Sequence, residues 1–351
     1  MRYPDFLQKH ETIGFIAPSF GCAIEPYRAA FMRARRVFKK KRQGEELGPN
    51  CFADDGIGIS TTPEKCAEEL MEMYASETNQ ALISCGGGEL MCEILPHIKF
   101  EVLYKAKPKW FMGYSDNTNL TFLLTTALDI ASIYGPCVSA FGMDPWHPSI
   151  HDAFNLLCGD PQIVETNEDG AYVAKVHNYD GWEKESLKDE THPYEPYNIS
   201  ELFMPVVYGG EKEACGRLVG GCLDCLVNIC GTKFDRVDHF NDRYEDEGVL
   251  WFLESCDLNV MDMRRALWNL KESGWFRNAK GFLIGRPMHY DEPMFGINRH
   301  EAVIGALGDL GVPIFMDLDI GHLAPMMPIV CGSYGKAACK GRSFALSMEF
   351  I

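Results

Sequence analysis

Gly113-Tyr114-Ser115-Asp116-Asn117 joins an apolar run, Lys109 to Met112, to a stretch with helical spacing through Leu120, Phe122, Leu123, Leu124 and Ala127. A serine on a tight strand-to-helix turn has its Oγ exposed and neighbouring amides directed at whatever it attacks. The N-terminus of the following helix adds partial positive charge, which favours a developing oxyanion. The pentapeptide equally suits a plain helix cap built on Ser115 or Asp116. Its fifth position is Asn117 where an α/β-hydrolase elbow has Gly. A second turn, Cys85-Gly86-Gly87-Gly88, ends the apolar run Ala81 to Ser84. Parallel strands that end side by side put their turns on one sheet edge, where ligands bind, so this turn offers a second amide to the oxyanion. No Lys-Ser/Thr follows it, which excludes a P-loop; Cys85 as a nucleophile of the amidotransferase kind is the rival reading.

A serine nucleophile needs a base, and the base needs an orienting carboxylate. Of ten histidines, His322 stands out, because Asp319-Ile320-Gly321-His322 places its ring just beyond the strand Ile314-Phe315-Met316, beside a glycine that permits close approach. His289, in Arg286-Pro287-Met288-His289, is the second candidate. Glu254 directly follows Leu250-Trp251-Phe252-Leu253. An acid after four apolar strand residues is expected to be partly buried and to need a partner; the alternative is an N-cap for the helix beginning near Asn259.

The elements that must position these groups alternate in the first 150 residues. Thr12 to Ala17 reads as a strand, Thr62-Pro63 as a helix start, and Cys66, Ala67, Leu70, Met71 and Tyr74 as one helical stripe. Ile130 to Tyr134 is a further strand. Strand, helix, strand with glycine-rich turns predicts a parallel sheet covered by helices. Periodicity fades between about 145 and 200, and Asp180 to Asn198 is too long for an ordinary connection. Strands resume at Val249–Leu253, Gly281–Ile284 and Val312–Met316, with helices at about 259–273 and 299–310. The division this gives is 1–160, an α/β domain with the serine; 161–200, a linker and substrate loop; and 201–351, a domain with the acid and base.

Composition narrows the partners. The formal net charge of −17 disfavours nucleic acid and anionic membranes, and no apolar run is long enough to cross a bilayer. Eight Lys or Arg between Arg28 and Arg42 run against that sign. Tyr27, Ala30, Phe31, Ala34 and Phe38 fall there at helical spacing, so the segment reads as an amphipathic helix with a solvated basic face. Fourteen scattered cysteines, many in apolar segments and with no export signal in view, predict reduced thiols in a cytoplasmic protein. Cys222 and Cys225 form a Cys-x-x-Cys without a second pair at zinc-ribbon spacing.

The chain resembles the LD-carboxypeptidase family of serine peptidases, in particular its microcin C immunity branch. Five segments carry the likeness: Gly14-Phe15-Ile16-Ala17-Pro18-Ser19; Ile83 to Gly88 through Ile94-Leu95-Pro96; Phe111 to Asp116; Gly216 to Leu223; and Leu253-Glu254 with Gly321-His322. The resemblance implies a Rossmann-like or flavodoxin-like N-terminal domain and a β-rich α+β C-terminal domain. It implies a cytoplasmic, commonly dimeric hydrolase that cleaves an amide near a free carboxylate, with no metal or cofactor. Ser115 then falls on the nucleophile, Glu254 on the orienting acid and His322 on the base. The backbone amides of Asp116 and of Gly87 or Gly88 fall on the oxyanion hole. Substrates would be small peptides or aminoacyl-nucleotide-like amides, or the terminal D-alanine of cytosolic murein tetrapeptides; a binding protein without turnover is a third possibility. Many relatives have Gly-Gly-Asn-Leu where this chain has Gly220-Gly221-Cys222-Leu223, so Cys222 is a substrate-binding candidate. Trp182 is another, as an aromatic ring for stacking a nucleobase.

Overall fold

The structure, a computed structural model, describes residues 1–55, 58–187 and 194–351. The first sheet begins with β1 (Thr12–Ile16), β2 (Gly44–Leu47), β3 (Ala81–Ser84), β4 (Trp110–Gly113) and β5 (Ser132–Tyr134). They run parallel in the order β2-β1-β3-β4-β5, the flavodoxin-like arrangement. Both β3 and β4 are buried at every residue, because helices cover both faces of a parallel sheet. The basic segment forms the helix Tyr27–Lys40, with Ala30, Phe31, Ala34 and Phe38 buried.

The next strands are β6 (Val164–Thr166), β7 (Tyr172–His177), β8 (Gly181–Trp182), β9 (Glu201–Leu202), β10 (Val206–Tyr208), β11 (Glu213–Cys222), β12 (Val249–Glu254) and β13 (Ala279–Gly285). The last four are β14 (Ile314–Leu318), β15 (Ile329–Cys331), β16 (Tyr334–Lys340) and β17 (Ser343–Glu349). Nine of these form a mixed second sheet in the order β10-β14-β13-β12-β11-β16-β17-β7-β6. Its β11 to β14 portion is parallel and the flank from β11 through β16, β17 and β7 to β6 is antiparallel. β6 and β7, within the stretch expected as linker, are thus strands of this sheet. β8 and β9 pair as a short ribbon, and residues 188–193 of the expected substrate loop lie outside the described residues.

The two sheets are not separate modules. β15 leaves the C-terminal region to pair antiparallel with β5, placing Ile329 opposite Tyr134. The helix Thr118–Leu128 lies between the sheets with ten of its eleven residues buried. Its threonines satisfy their hydroxyls on the preceding turn, Thr125 Oγ1 donating to the Thr121 carbonyl at 3.1 Å and Thr126 Oγ1 to that of Phe122 at 2.9 Å. Phe122 stacks on Trp275 with ring centroids 5.2 Å apart. One core joins Phe15, Trp110 and Ile133 to Leu218, Phe252 and Phe315. N- and C-terminal residues therefore share the same buried volume.

Candidate active site

Ser115 follows β4 and precedes the buried helix. Its φ of 62° is the left-handed conformation that a non-glycine residue adopts at a cost, typically where the surrounding fold holds it. The turn is tied down by Asn117, whose Nδ2 donates to the Gly86 carbonyl at 2.8 Å and to that of Tyr114 at 3.0 Å. Beneath it Asp116 is buried, with Oδ2 accepting from Ser19 Oγ at 2.5 Å and from the Met91 amide at 2.8 Å. Asp116 therefore links the serine turn to the β1 and β3 loops through its side chain, leaving its backbone N–H in a first helical turn without an intrahelical acceptor.

Glu254 is the last residue of β12, and His322 lies in the turn after β14. The structure brings all three expected residues together. His322 Nε2 is 2.9 Å from Ser115 Oγ, and His322 Nδ1 is 2.8 Å from Glu254 Oε2. The glycine before the histidine is what lets the backbone pass over the acid: Gly321 has φ +100°, and a Cβ there would lie 2.6 Å from Glu254 Oε2. Gly87 abuts Ser115 in the same way, since a Cβ on it would sit 3.1 Å from Ser115 Oγ. That places the Cys85–Gly88 turn beside the serine.

The electrostatics follow from burial. Glu254 has no exposed side-chain surface and His322 only 8%. Burial pushes the Glu254 carboxyl up, but the His322 ring and the hydrogen bonds from His322 and Tyr134 outweigh it and hold the group below its ordinary value. Burial likewise disfavours a charged His322, and the adjacent Glu254 carboxylate reverses this, so the ring is held well above the usual imidazole value. The pair is mutually stabilised as imidazolium and carboxylate. Tyr134 was not anticipated from the sequence. Its hydroxyl donates to Glu254 Oε1 at 2.5 Å and accepts from the Ser115 amide at 3.3 Å. Burial, with Glu254 next to it, raises the phenol well above its usual range, so it keeps its proton and acts as the donor.

A buried ion pair holds the His322 turn. Arg286 Nη2 reaches Asp319 Oδ1 at 2.5 Å and the Leu323 carbonyl at 3.4 Å, and Asp319 Oδ2 accepts from the Tyr179 amide at 2.8 Å. The residues before Arg286 showed only a strand end, and the pairing is 33 residues long in sequence, beyond what local pattern reveals.

The remaining candidates separate. His289 lies elsewhere, its Nδ1 2.9 Å from Glu292 Oε2. Cys85 is buried and its thiol is pushed well above the usual value by burial, with Cys22 and Cys51 adding to it, so it stays protonated. Cys222 lines the small cleft below Ser115, a space of about 150 Å³, with its Sγ donating to Asp224 Oδ2 at 3.2 Å. Trp182 does not line that cleft. It is 4% exposed in β8, its ring centroid 4.6 Å from that of Tyr290 and 5.0 Å from the Arg286 guanidinium. The face expected to stack a nucleobase is taken up by these two side chains. The fourteen cysteines are all free thiols, and among the described residues no helix is long and apolar enough to cross a membrane.

Residues 13–135 match the family model of the LD-carboxypeptidase N-terminal domain, and residues 215–336 that of the LD-carboxypeptidase C-terminal domain. The chain belongs to the LD-carboxypeptidase family. Within the family it is similar to the Escherichia coli microcin C7 self-immunity protein MccF, 23% identical over 92% of this chain and 89% of that protein. It is also similar to the Bacillus subtilis protein named a probable murein peptide carboxypeptidase, 25% identical over 94% of this chain and 89% of the relative. Among solved structures, an MccF-like protein from Bacillus anthracis superposes with a TM-score of 0.82 at 19% identity, covering 99% of both chains. MccF in complex with aspartyl sulfamoyl adenosine gives 0.80 at 19% identity, over 99% of this chain and 98% of MccF. Both likenesses establish the shared two-domain LD-carboxypeptidase fold.

Proposed function

We propose that this LD-carboxypeptidase family member is a serine hydrolase of amide bonds, with Ser115 as nucleophile, His322 as base and Glu254 as the orienting acid. The observation that carries the reading is the unbroken hydrogen-bonded series Ser115–His322–Glu254–Tyr134. In this mechanism His322 Nε2 takes the Ser115 proton as Oγ attacks the amide carbonyl. The tetrahedral oxyanion is met by the backbone N–H of Asp116 and one from Gly87 or Gly88, each such donor contributing about 3 kcal/mol. His322 then passes the proton to the leaving amine, and water repeats the sequence on the acyl-enzyme. Glu254 fixes the ring tautomer and stabilises the imidazolium.

For the substrate we propose an aminoacyl- or peptidyl-nucleotide-like amide handled in the cytoplasm by a homodimer. Support comes from the likeness to MccF over nearly the whole chain. Trimming of murein tetrapeptides is the other reading, supported by the Bacillus subtilis relative. The deciding experiment incubates the protein with an aminoacyl sulfamoyl adenosine and, separately, with a murein tetrapeptide, and identifies products by mass. Hydrolysis of the nucleotide amide by wild type and not by Ser115→Ala is the expected result. Turnover of the tetrapeptide alone would transfer the assignment to murein, and turnover by Ser115→Ala would overturn the nucleophile.

A further inference from the structure

Glu69 is a buried carboxylate outside the active site. It lies on the inner side of the helix Pro63–Ala75 and is 1% exposed. Its two oxygens serve two different chain segments: Oε2 accepts from the Ala17 amide at 2.9 Å and Oε1 from the Asn50 amide at 2.8 Å. Gly48 makes room for this, since a Cβ there would lie 2.2 Å from Oε1. Among the described residues no Lys or Arg forms an ion pair with Glu69. The segments that meet it contribute Ala17, Gly48 and Asn50, none of which titrates. Cys51 turns its thiol to the Phe15 carbonyl at 3.1 Å. Cys66, one turn back on the same helix, has its thiol raised by burial, with Glu69 and Asp55 adding to the effect. Lys65, Glu68 and Glu72 of the helix are exposed to solvent. A buried charge without a cation is costly, and an apolar side chain of the same size would avoid that cost.

What Glu69 holds lies one step from Ser115. Ala17 begins the loop Ala17-Pro18-Ser19-Phe20 that follows β1. Ser60 braces the loop, its Oγ donating to the Ala17 carbonyl and its amide to the Ser19 carbonyl, both at 2.6 Å. From the same loop Ser19 Oγ donates to Asp116 Oδ2 at 2.5 Å, and the Phe20 amide donates to the Gly87 carbonyl at 2.7 Å. Gly88 packs against it as well, a Cβ there falling 2.1 Å from Ser19 Oγ. One four-residue loop is thus bonded to both turns proposed to meet the oxyanion. Donors of that kind work by being in place before charge develops.

We propose that Glu69 is a positioning residue for the hydrolysis, its carboxylate anchoring the loop that sets the Asp116 and Gly87 turns against the oxyanion. This rests on the hydrolase reading above. The role needs the ionised form, because only a carboxylate offers an acceptor oxygen to each of two N–H groups. A glutamine or a protonated acid turns a donor toward one of them. Burial, opposed by the hydrogen bonds from Asn50 and Ala17, raises the carboxyl to about 7, so the anchor loosens as pH falls through that value. Stability has the opposite sign. With the folded value raised, the stabilising contribution is fully present below the ordinary value of about 4.3 and is lost as pH rises toward about 7. Support for the reaction and support for the fold therefore change in opposite directions with pH.

A biotin-tagged alkyl fluorophosphonate reports on Ser115 directly: Oγ bonds to phosphorus, fluoride leaves, His322 takes the proton, and the phosphoryl oxygen occupies the place of the oxyanion. Labelling rates would be measured across pH for wild type and Glu69→Gln, with Ser115→Ala as the blank. Wild type should react at least about tenfold faster than Glu69→Gln above about pH 8, with the ratio falling toward one below about pH 6. Denaturant unfolding should show the reverse trend, wild type losing stability relative to Glu69→Gln as pH rises. Equal rates throughout, or a ratio that does not vary with pH, make Glu69 a packing residue and overturn the proposal while leaving the hydrolase reading in place. Wild type alone decides if Glu69→Gln does not fold: an acid-side fall that one titrating group describes overturns the proposal, and a second step near about 7 supports it. No labelling of wild-type Ser115, with the folded state confirmed by circular dichroism, overturns the hydrolase reading and the proposal with it.

Discussion

The Tyr134 hydroxyl donates to Glu254 Oε1 at 2.5 Å while its oxygen accepts from the Ser115 amide at 3.3 Å. One phenol at the end of β5 thus touches both the Glu254 carboxylate and the backbone of Ser115. Tyr134→Phe removes a donor to a fully buried carboxylate, a charge-assisted bond of about 1.5–3 kcal/mol. We expect kcat to fall by roughly tenfold or more with little change in KM. The Glu254 carboxyl should also titrate higher, which shows in the pH profile. A variant that lost only stability would leave that profile in place.

The His322–Glu254 pair sets the pH dependence. A protonated ring cannot accept the Ser115 proton, so kcat/KM should rise with pH. The raised His322 value puts the midpoint of that rise above the ordinary imidazole value of about 6.5. Glu254→Gln should bring the midpoint down toward about 6.5 while lowering the plateau rate. A wild-type midpoint at or below the ordinary value would contradict the coupling.

Gly87 can be tested by adding one carbon. A Cβ there would crowd Ser115 Oγ at 3.1 Å, on the side where the second oxyanion donor is expected. Gly87→Ala should reduce kcat/KM by at least about 100-fold, comparable to losing an oxyanion donor. Thermal unfolding should move little. Full activity in this variant would remove the Cys85–Gly88 turn from the site.

Acid stability has a definable contributor in Asp317. Burial opposes its charge, but Arg299 and His300 outweigh this and hold the carboxyl at about 2. Because the folded value is depressed, the stabilisation is fully present above the unfolded value of about 3.9 and is lost as pH falls from there toward about 2. Wild type should exceed Asp317→Asn by about 2 kcal/mol at pH 6, with the gap closing at the acid end, as read by denaturant unfolding across that range. A constant gap would show that the charge is not the cause.

Trp182→Ala should act through packing. Its ring is enclosed by Tyr290 and Arg286, and removing a buried tryptophan costs about 3–5 kcal/mol. Both the nucleotide and the peptide substrate should lose kcat/KM to a similar degree. A loss confined to the nucleotide would restore the stacking role.

How much of this was legible beforehand depends on where each residue's partners lie in the chain. Ser115, Glu254 and His322 stood out because each lies at or within a few residues of the end of a short apolar strand, and the family likeness ordered them. The parallel strands β1, β3, β4, β12, β13 and β14 were visible as such runs for the same reason. β2, with the sequence Gly44-Glu45-Glu46-Leu47, was not, because an edge strand half open to water has no apolar signature. β6 and β7 were hidden within a stretch read as linker. Tyr134, Arg286 and Asp319 sit at strand ends and in turns like many others, and their roles come from contacts across sequence distances that no local period encodes. The surroundings of Trp182 were hidden for a related reason: an aromatic in a polar stretch looks exposed until Arg286 and Tyr290, which pack on its ring, are placed.

The pairing of β15 with β5 bears on how the protein comes into being. During synthesis the ribosome delivers Ser115, Glu254 and His322 before it delivers Ile329–Cys331, which borders the first sheet, or β16 and β17, which continue the second beyond β11. A nascent chain that already holds all three reactive side chains therefore still has two open sheet borders. A chain that stopped before Ile329 would carry Ser115, Glu254 and His322 without the strand that ties the first sheet to the C-terminal residues.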